Sequence, residues 1–106
     1  MNKKTIKLLQ NEFLPLVNIL NEVCHGLYVQ NFENTIGAQQ KTVVALMDKI
    51  LDEKREKEIT LALDHYELNF LQKSFEEVFR QIEEWEFQTR IGITIEEANA
   101  IKNKLT

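Results

Sequence analysis

Apolar residues recur in the first part of the chain at alternating intervals of three and four positions. This spacing places them on one face of an α-helix, and the series consists of Ile6, Leu9, Phe13, Leu16, Leu20, Val23 and Leu27. A second series with the same rhythm contains Leu61, Leu68, Leu71, Phe75, Val78 and Ile82. The pattern therefore predicts two long amphipathic helices.

The two series are related by a displacement of 55 residues. When 5–51 is aligned with 60–106, 11 of the 47 paired positions are identical, including a Phe-x-x-x-Ile-Gly block that ends at Gly37 and at Gly92. We interpret this self-similarity as an internal repeat. Each unit is predicted to contain a long helix, a connector that carries the Phe-x-x-x-Ile-Gly block, and a shorter helix.

Local signals indicate where several helices begin and end. The segments 64–67 and 94–97 each place an N-cap residue three positions before a glutamate, which is typical of a capping box. Gly26 is a candidate for the left-handed residue that terminates the first helix. Gly37 and Gly92 precede the second helix of each unit, where the chain must change direction.

Three features complete the predicted organisation. Pro15 should kink the first helix or lie near its start, because proline removes a helical hydrogen bond. The charged linker 52–58 reads as a solvated helical extension, and 59–63 could be a short extended piece. The extension would be supported by the i,i+4 pairs Glu53–Lys57 and Lys54–Glu58.

Length and composition favour one all-α domain. The chain has 106 residues with three glycines and one proline, which suits long helices better than a turn-rich β fold. We predict a compact helical bundle over 1–106. The single cysteine, Cys24, suits a reducing compartment, and neither a signal peptide nor a membrane span is evident. These features predict a cytoplasmic protein.

Charge is distributed unevenly along the chain. The net charge of −4 combines +1 over 1–55 with −5 over 56–106. Seven acids and two arginines lie between Glu76 and Glu97. Nucleic-acid binding needs a basic stripe to neutralise phosphates, and none is present. A basic protein surface is the better candidate partner.

A metal site is the sharpest chemical hypothesis for the first unit. Glu22 and His25 form a Glu-x-x-His motif, which di-iron helical bundles use twice. The second unit has Glu77 and Arg80 at the corresponding positions. Because arginine cannot ligate a metal cation, we predict no metal site.

Catalytic interpretations also lack support. Cys24 and His25 are adjacent, so on a helix their side chains diverge by roughly 100° and cannot form an ion pair; a buried, inert thiol is favoured. Glu83, Glu84 and Glu86 come without the glycine-rich loop or second polar shell that would tune an acid and a base. We predict no catalytic residue and no cofactor.

Trp85 has two interpretations. It is either a core anchor between the second unit's long and short helices, or an exposed element of a contact surface, since tryptophan is enriched among interface hot spots. Phe87 matches Phe32 in the alignment and is assigned to the core. Arg90 is expected to pair with a carboxylate or cap a helix end and so hold the connector in place.

The repeated segments resemble a group of small helical bacterial proteins. The sequences LNEVCHG (20–26) and FENTIG (32–37), with FEEVF (75–79) and EWEFQTRIGITIEEA (84–98), are similar to a pattern found among immunity proteins of contact-dependent growth inhibition and related toxin systems. The pattern is an Asn-Glu-Val-x-x-Gly helix end, then Phe-x-Thr-Arg-x-Gly and a glutamate-rich helix. The resemblance implies a non-enzymatic scaffold that neutralises a cognate toxin, for example a basic nuclease.

We therefore predict a toxin-binding protein whose partner-binding residues are Glu76, Glu83, Glu84, Trp85 and Glu86. Charge reversal at the last three acids should weaken partner binding and reduce its salt dependence. Two alternatives stay open: a homodimeric regulatory protein that associates through a leucine face, and a metalloenzyme on a helical bundle. The residues considered for the leucine face are Leu14, Leu51 and Leu63.

Overall fold

The computed structural model describes residues 3–53 and 57–106. The protein is 68% helical, with six α-helices and a small two-stranded sheet in this part of the chain, and its radius of gyration is 12.9 Å. The elements follow in the order β1 (Lys4–Leu9), α1 (Gln10–Asn21), a π-helical turn (Glu22–Gly26), α2 (Phe32–Ile36), α3 (Gln40–Leu51), β2 (Glu58–Leu63), α4 (His65–Gln81), α5 (Glu84–Ile91) and α6 (Ile95–Lys104).

The sheet corrects the prediction of an all-α fold and of a first helix that contains Ile6. β1 and β2 pair antiparallel, with Ile6 opposite Leu61. Ile6 and Leu8 are buried, whereas Leu9 is 50% exposed. The buried positions at this end of the chain therefore alternate with a period of two, as in a strand, instead of following the helical spacing that joins Ile6 to Leu9.

α1 begins at Gln10 and includes Pro15 in its interior. The backbone N–H of Leu9 donates to Glu12 Oε1 at 2.8 Å, so a glutamate caps the start of the helix. After Asn21 the backbone continues as the π-helical turn, and the helical conformation ends at Gly26. The prediction that Gly26 takes a left-handed conformation is wrong, because the only glycines with positive φ in the described residues are Gly37 and Gly92.

The two predicted connectors are helical. The Phe-x-x-x-Ile segments form α2 and α5, and the glycine that follows each one ends the helix with φ of 94° at Gly37 and 100° at Gly92. Phe87 and Ile91 lie one helical turn apart on the buried side of α5. The glycine positions were predicted correctly, but the residues before them were wrongly assigned to a turn.

The two predicted capping boxes are present. Glu67 N donates to Asp64 Oδ1 at 2.8 Å at the start of α4, and Glu97 N donates to Thr94 Oγ1 at 3.1 Å at the start of α6. In both cases the glutamate side chain accepts a bond from the backbone N–H of the N-cap residue. These local bonds satisfy donors that a helix start leaves unpaired.

The linker 52–58 was predicted to be helical, but the residues described at its two ends are not in a helix. α3 ends at Leu51 with Asp52 as its C-cap, and β2 begins at Glu58. The predicted Lys54–Glu58 pair falls partly on 54–56, outside the described residues. Glu58 instead forms a diagonal ion pair with Lys7 of β1, with 3.9 Å between Nζ and Oε1.

The core is a single cluster that fills the space between the sheet and the helices. Its largest fully buried side chains include Phe70, Phe75 and Phe87, which confirms the assignment of Phe87. Leu63 is completely buried, so it cannot belong to the proposed leucine face. Leu14 and Leu51 remain 49% and 37% exposed.

Candidate partner-binding surface

α5 is fixed to the core by one of its faces. The preceding residue Ile82 is buried in an extended conformation, and Glu83 is the N-cap. Phe87 stacks on Phe79 of α4 with a centroid separation of 5.6 Å and an interplanar angle of 26°. Because Ile91 is also fully buried, the helix has a defined rotation about its own axis, and its other face is directed outwards.

Trp85 lies on the outward face and is 79% exposed. The interpretation of Trp85 as a core anchor is therefore wrong. Phe87, two residues later, is the aromatic residue that packs α5 against α4. A helix turns by about 100° per residue, so side chains two positions apart, such as Trp85 and Phe87, point in nearly opposite directions. An indole left in water represents a large apolar area that a partner could bury.

Two of the predicted carboxylates border the same depression as the indole. Glu83, Glu84, Trp85 and Gln88 border one shallow depression, and we call these four residues the Trp85 surface. Glu83 and Glu84 are exposed. Their position at the start of α5 is electrostatically favourable, since the N-terminal end of a helix carries a partial positive charge.

A narrow cleft continues from the Trp85 surface towards α6. It encloses about 130 Å³ and is lined by Glu84, Phe87, Gln88, Thr94, Ile95 and Glu96. The sequence analysis missed Gln88 and Glu96. Gln88 lies one helical turn after Glu84, so helical spacing from the predicted acids would have identified it.

Glu86 is directed to Arg90, away from the Trp85 surface. Its Oε1 lies 3.8 Å from Arg90 Nη1. The main partner of Arg90 is Glu22, at the end of α1, which accepts from Arg90 Nε at 3.2 Å and from Nη2. The predicted pairing of Arg90 with a carboxylate is confirmed, and the hydrogen bond to Glu22 raises the pKa of Arg90 above its usual value.

The Glu22–Arg90 ion pair depends on the absence of a side chain at Gly26. A Cβ at this position would collide with the Glu22 carboxylate and would lie 3.5 Å from Arg90 Nη2. The side chains of Arg90 and Glu22 are only 29% and 13% exposed. The pair therefore sits in a partly buried site that joins α5 to the first half of the chain.

Glu76 is separate from the Trp85 surface. It lies on α4 with its side chain 60% exposed, and its Oε2 is 3.7 Å from Lys102 Nζ on α6. It does not border the depression around Trp85. The structure thus brings together Glu83, Glu84 and Trp85, but places Glu76 in a cross-helix ion pair.

Tyr28 is a second exposed aromatic residue that the sequence analysis did not select. It is 82% exposed and lies in the loop after the π-helical turn. Its carbonyl accepts from Gln81 Nε2 at 2.8 Å, which ties this loop to the end of α4. The alignment of the two halves pairs Tyr28 with Glu83, and this correspondence was the available signal.

The residues considered for nucleophilic and metal chemistry are Cys24 and Glu22. Cys24 is 7% exposed, and burial raises the pKa of its thiol to about 11, so it is protonated at neutral pH. This agrees with the prediction of a buried thiol. Glu22, the carboxylate of the metal hypothesis, is occupied by Arg90. No group of three or more His, Cys, Asp or Glu residues is arranged to hold a metal ion in 3–53 and 57–106.

Another depression, of about 480 Å³, lies elsewhere and contains none of the predicted contact residues. It is lined by Lys3, Lys4, His65, Leu68, Asn69, Gln72, Leu105 and Thr106. Lys4 Nζ donates to the carbonyl of Thr106 there. Since this lining holds two lysines and no carboxylate side chain, it is electrostatically opposite to the Trp85 surface.

Comparisons with protein-family models, curated proteins and solved structures give no match to this chain. None of the helices in the described ranges combines the length and apolarity that crossing a bilayer requires.

Proposed function

We propose that the protein is a non-enzymatic binding protein, most concretely an immunity protein that binds and neutralises a cognate bacterial toxin. The observation that carries this proposal is the exposure of Trp85 beside the carboxylates of Glu83 and Glu84, on a helix whose opposite face is anchored in the core. A rigid helix that presents an aromatic ring is a suitable interface anchor, because little conformational entropy is lost on binding.

The charge around Trp85 specifies the kind of partner. Glu83 and Glu84 are exposed and make no ion pair with another described residue. A partner with lysine or arginine at its surface would complement them, and a cation over the indole would add a cation–π contact. Complementary charge also accelerates association, which suits a protein that must intercept a toxin. A basic nuclease is one toxin class with this chemistry.

We propose a revised set of contact residues on the basis of the geometry of α5. Glu83, Glu84 and Trp85 remain the proposed core of the interface, with Gln88 added. Glu86 is better described as a positioning residue, because it contacts Arg90. Glu76 is proposed only as part of the rim, since Lys102 already partly neutralises it.

The direct experiment measures affinity for the cognate toxin, sought first as the product of a neighbouring gene. The double variant Glu83→Lys/Glu84→Lys should bind more weakly and with a smaller salt dependence. The matched control is Glu33→Lys/Asp48→Lys, which makes the same change in charge at exposed positions of the first half. Equal losses in both variants would mean that net charge, and not this surface, governs binding.

Trp85→Ala tests the apolar component of the interface. We expect a loss of about 2 kcal/mol or more in binding free energy, as for interface hot spots. The same variant should fail to protect cells that express the toxin. Full protection by Trp85→Ala would remove the Trp85 surface from consideration.

We also propose that 5–51 and 60–106 are copies of one ancestral unit within a single domain. Helices begin at Gln10 and His65, and again at Gln40 and Ile95, in each case 55 residues apart. Ile6 pairs with Leu61, its own counterpart at the same offset. An experimental structure in which the two segments failed to superpose would contradict this proposal.

The cytoplasm is the proposed location. Cys24 is the only cysteine of the chain, and a reducing compartment keeps such a thiol free. Fractionation of the native cell with an antibody against the protein would test the assignment.

A further inference from the structure

The β1–β2 sheet has an open edge along β2. Gln10 N donates to Lys57 O at 2.9 Å, which extends the ladder by one hydrogen-bonded pair in the register of Ile6 and Leu61. In an antiparallel ladder such pairs alternate with pairs whose N–H and C=O groups point away from the neighbouring strand. The outward-pointing residues of β2 are therefore Glu58, Thr60 and Ala62.

The corresponding edge of β1 is partly occupied. Lys104 Nζ, at the end of α6, donates to Lys7 O at 3.2 Å, and Lys4 reaches the carbonyl of Thr106. Lys104 therefore satisfies one of the outward carbonyls of this edge. The side chains of Lys4 and Lys7 add charge there, which natural edge strands use against unwanted pairing.

No equivalent cover protects β2 in the described residues. Lys49 lies 55 positions before Lys104, but no hydrogen bond joins it to the strand. The outward backbone groups of Glu58, Thr60 and Ala62 have no hydrogen-bond partner among the described residues. β2 also contains no lysine and no proline, which are two of the devices that protect natural edge strands.

We propose that β2 is a self-association edge, at which a second copy of the chain adds its own β2 antiparallel to form a four-stranded sheet. With the two-fold axis at Thr60, the pairs are Thr60 with Thr60 and Glu58 with Ala62. All three residues direct their backbone groups outwards, so every position can pair. No like charges face each other, and cross-strand threonine pairs are favourable.

This interface is distinct from the leucine face considered above, and it does not depend on toxin binding. It uses backbone hydrogen bonds over a short strand, so it belongs to the small and weak class of interfaces. We expect a monomer–dimer equilibrium that becomes visible at high micromolar concentration in sedimentation equilibrium.

The decisive variant is Thr60→Pro, which removes an outward N–H without removing a bond of the β1–β2 ladder. The matched control is Thr5→Pro, since Thr5 is the counterpart of Thr60 on the outer edge of β1. The dimer association constant should fall by about tenfold or more for Thr60→Pro, because two hydrogen bonds across the axis are lost. Thr5→Pro should leave it unchanged. A strictly monomeric wild-type protein, or equal losses in both variants, would overturn the proposal.

Spin labelling provides a test that does not depend on proline. In a Cys24→Ala background, labels at Thr60→Cys should show a short distance across the dimer, and labels at Thr5→Cys a longer one. The reason is that β1 lies outside β2 in the four-stranded sheet. The reverse order, or no dipolar coupling at a concentration that gives dimers, would contradict β2 pairing.

Discussion

Glu22 and Glu77 occupy corresponding positions in the two halves of the chain, 55 residues apart, but they are held in different ways. Glu22 is bound by Arg90, which lies 68 residues away in the other half. Glu77 is bound by Arg80, three residues later in the same helix, and by Gln81. One carboxylate has a long-range partner, and the other has local partners.

The residue one turn after each glutamate accounts for the difference. Gly26 leaves space beside Glu22 for the Arg90 guanidinium. At the corresponding place, Gln81 fills the space and bonds to Glu77. Because Arg90 belongs to α5, the first arrangement ties the helix that presents Trp85 directly to Glu22 in the other half, in addition to the stacking of Phe87 on Phe79.

The largest effect on stability should come from removing Arg90, the long-range partner of Glu22. Arg90→Ala leaves the Glu22 carboxylate, 13% exposed, without its cation, and should lower the free energy of unfolding by about 2 kcal/mol. Arg80→Ala should cost less, because Gln81 still bonds to Glu77. Urea unfolding of both variants measures the difference. A greater loss for Arg80→Ala would reverse the comparison.

A smaller loss is expected for Gly26→Ala. The added methyl collides with the Glu22 carboxylate, and the variant should cost about 1–2 kcal/mol, as overpacked sites do. In an Arg90→Ala background Glu22 is free to move, so the same substitution should cost close to nothing. This double-mutant cycle isolates the coupling between the two sites. Additive losses would show that Gly26 acts independently of the ion pair.

The bond between Glu77 and Arg80 should make the free energy of unfolding depend on pH. The hydrogen bond from Arg80 holds the pKa of Glu77 below its usual value. The stabilisation is therefore fully present above the unfolded-state pKa of about 4.3, and is lost as the pH falls through the lower pKa of the folded protein. Glu77→Gln should flatten the acid limb of a plot of unfolding free energy against pH. An unchanged acid limb would exclude this pair as a contributor.

The smallest effect on stability is expected for substitution of Trp85, which lies on the helix that the Glu22–Arg90 pair holds. Because Trp85 is 79% exposed, Trp85→Ala should change the free energy of unfolding by less than about 0.5 kcal/mol. In the wild-type protein, the fluorescence emission of Trp85 should resemble that of an indole in water and should shift little on unfolding. A strongly blue-shifted emission in the folded protein would show that the ring is buried after all.

The sequence predicted best those features that local chemistry determines. Asp64 and Thr94 begin helices because each is followed, three residues later, by a glutamate that completes the capping box. Gly37 and Gly92 were predicted to lie where the chain changes direction before a helix, and the backbone at both is left-handed. Phe87 was placed in the core by its match to Phe32.

The features that the sequence did not reveal depend on distant partners. Ile6 fits both a helical and an alternating pattern, and the choice is made by Leu61 on the paired strand. The partner of Arg90 was not predictable, because Glu22 is far away in the chain and its neighbour Gly26 resembles an ordinary helix terminator. Trp85 was left undecided because the rotation of α5 is set by stacking on Phe79.

The β1–β2 ladder also has a consequence for how the protein folds. Lys4 pairs with Leu63 and Leu9 with Glu58, so the sheet closes a loop that includes α1, α2 and α3. Contacts of such large sequence separation form slowly, because loop-closure entropy is lost before they stabilise the chain. During synthesis on the ribosome, β1 emerges first and remains without its strand partner until residues 58–63 have left the exit tunnel. The first half must therefore wait for the second to complete its architecture.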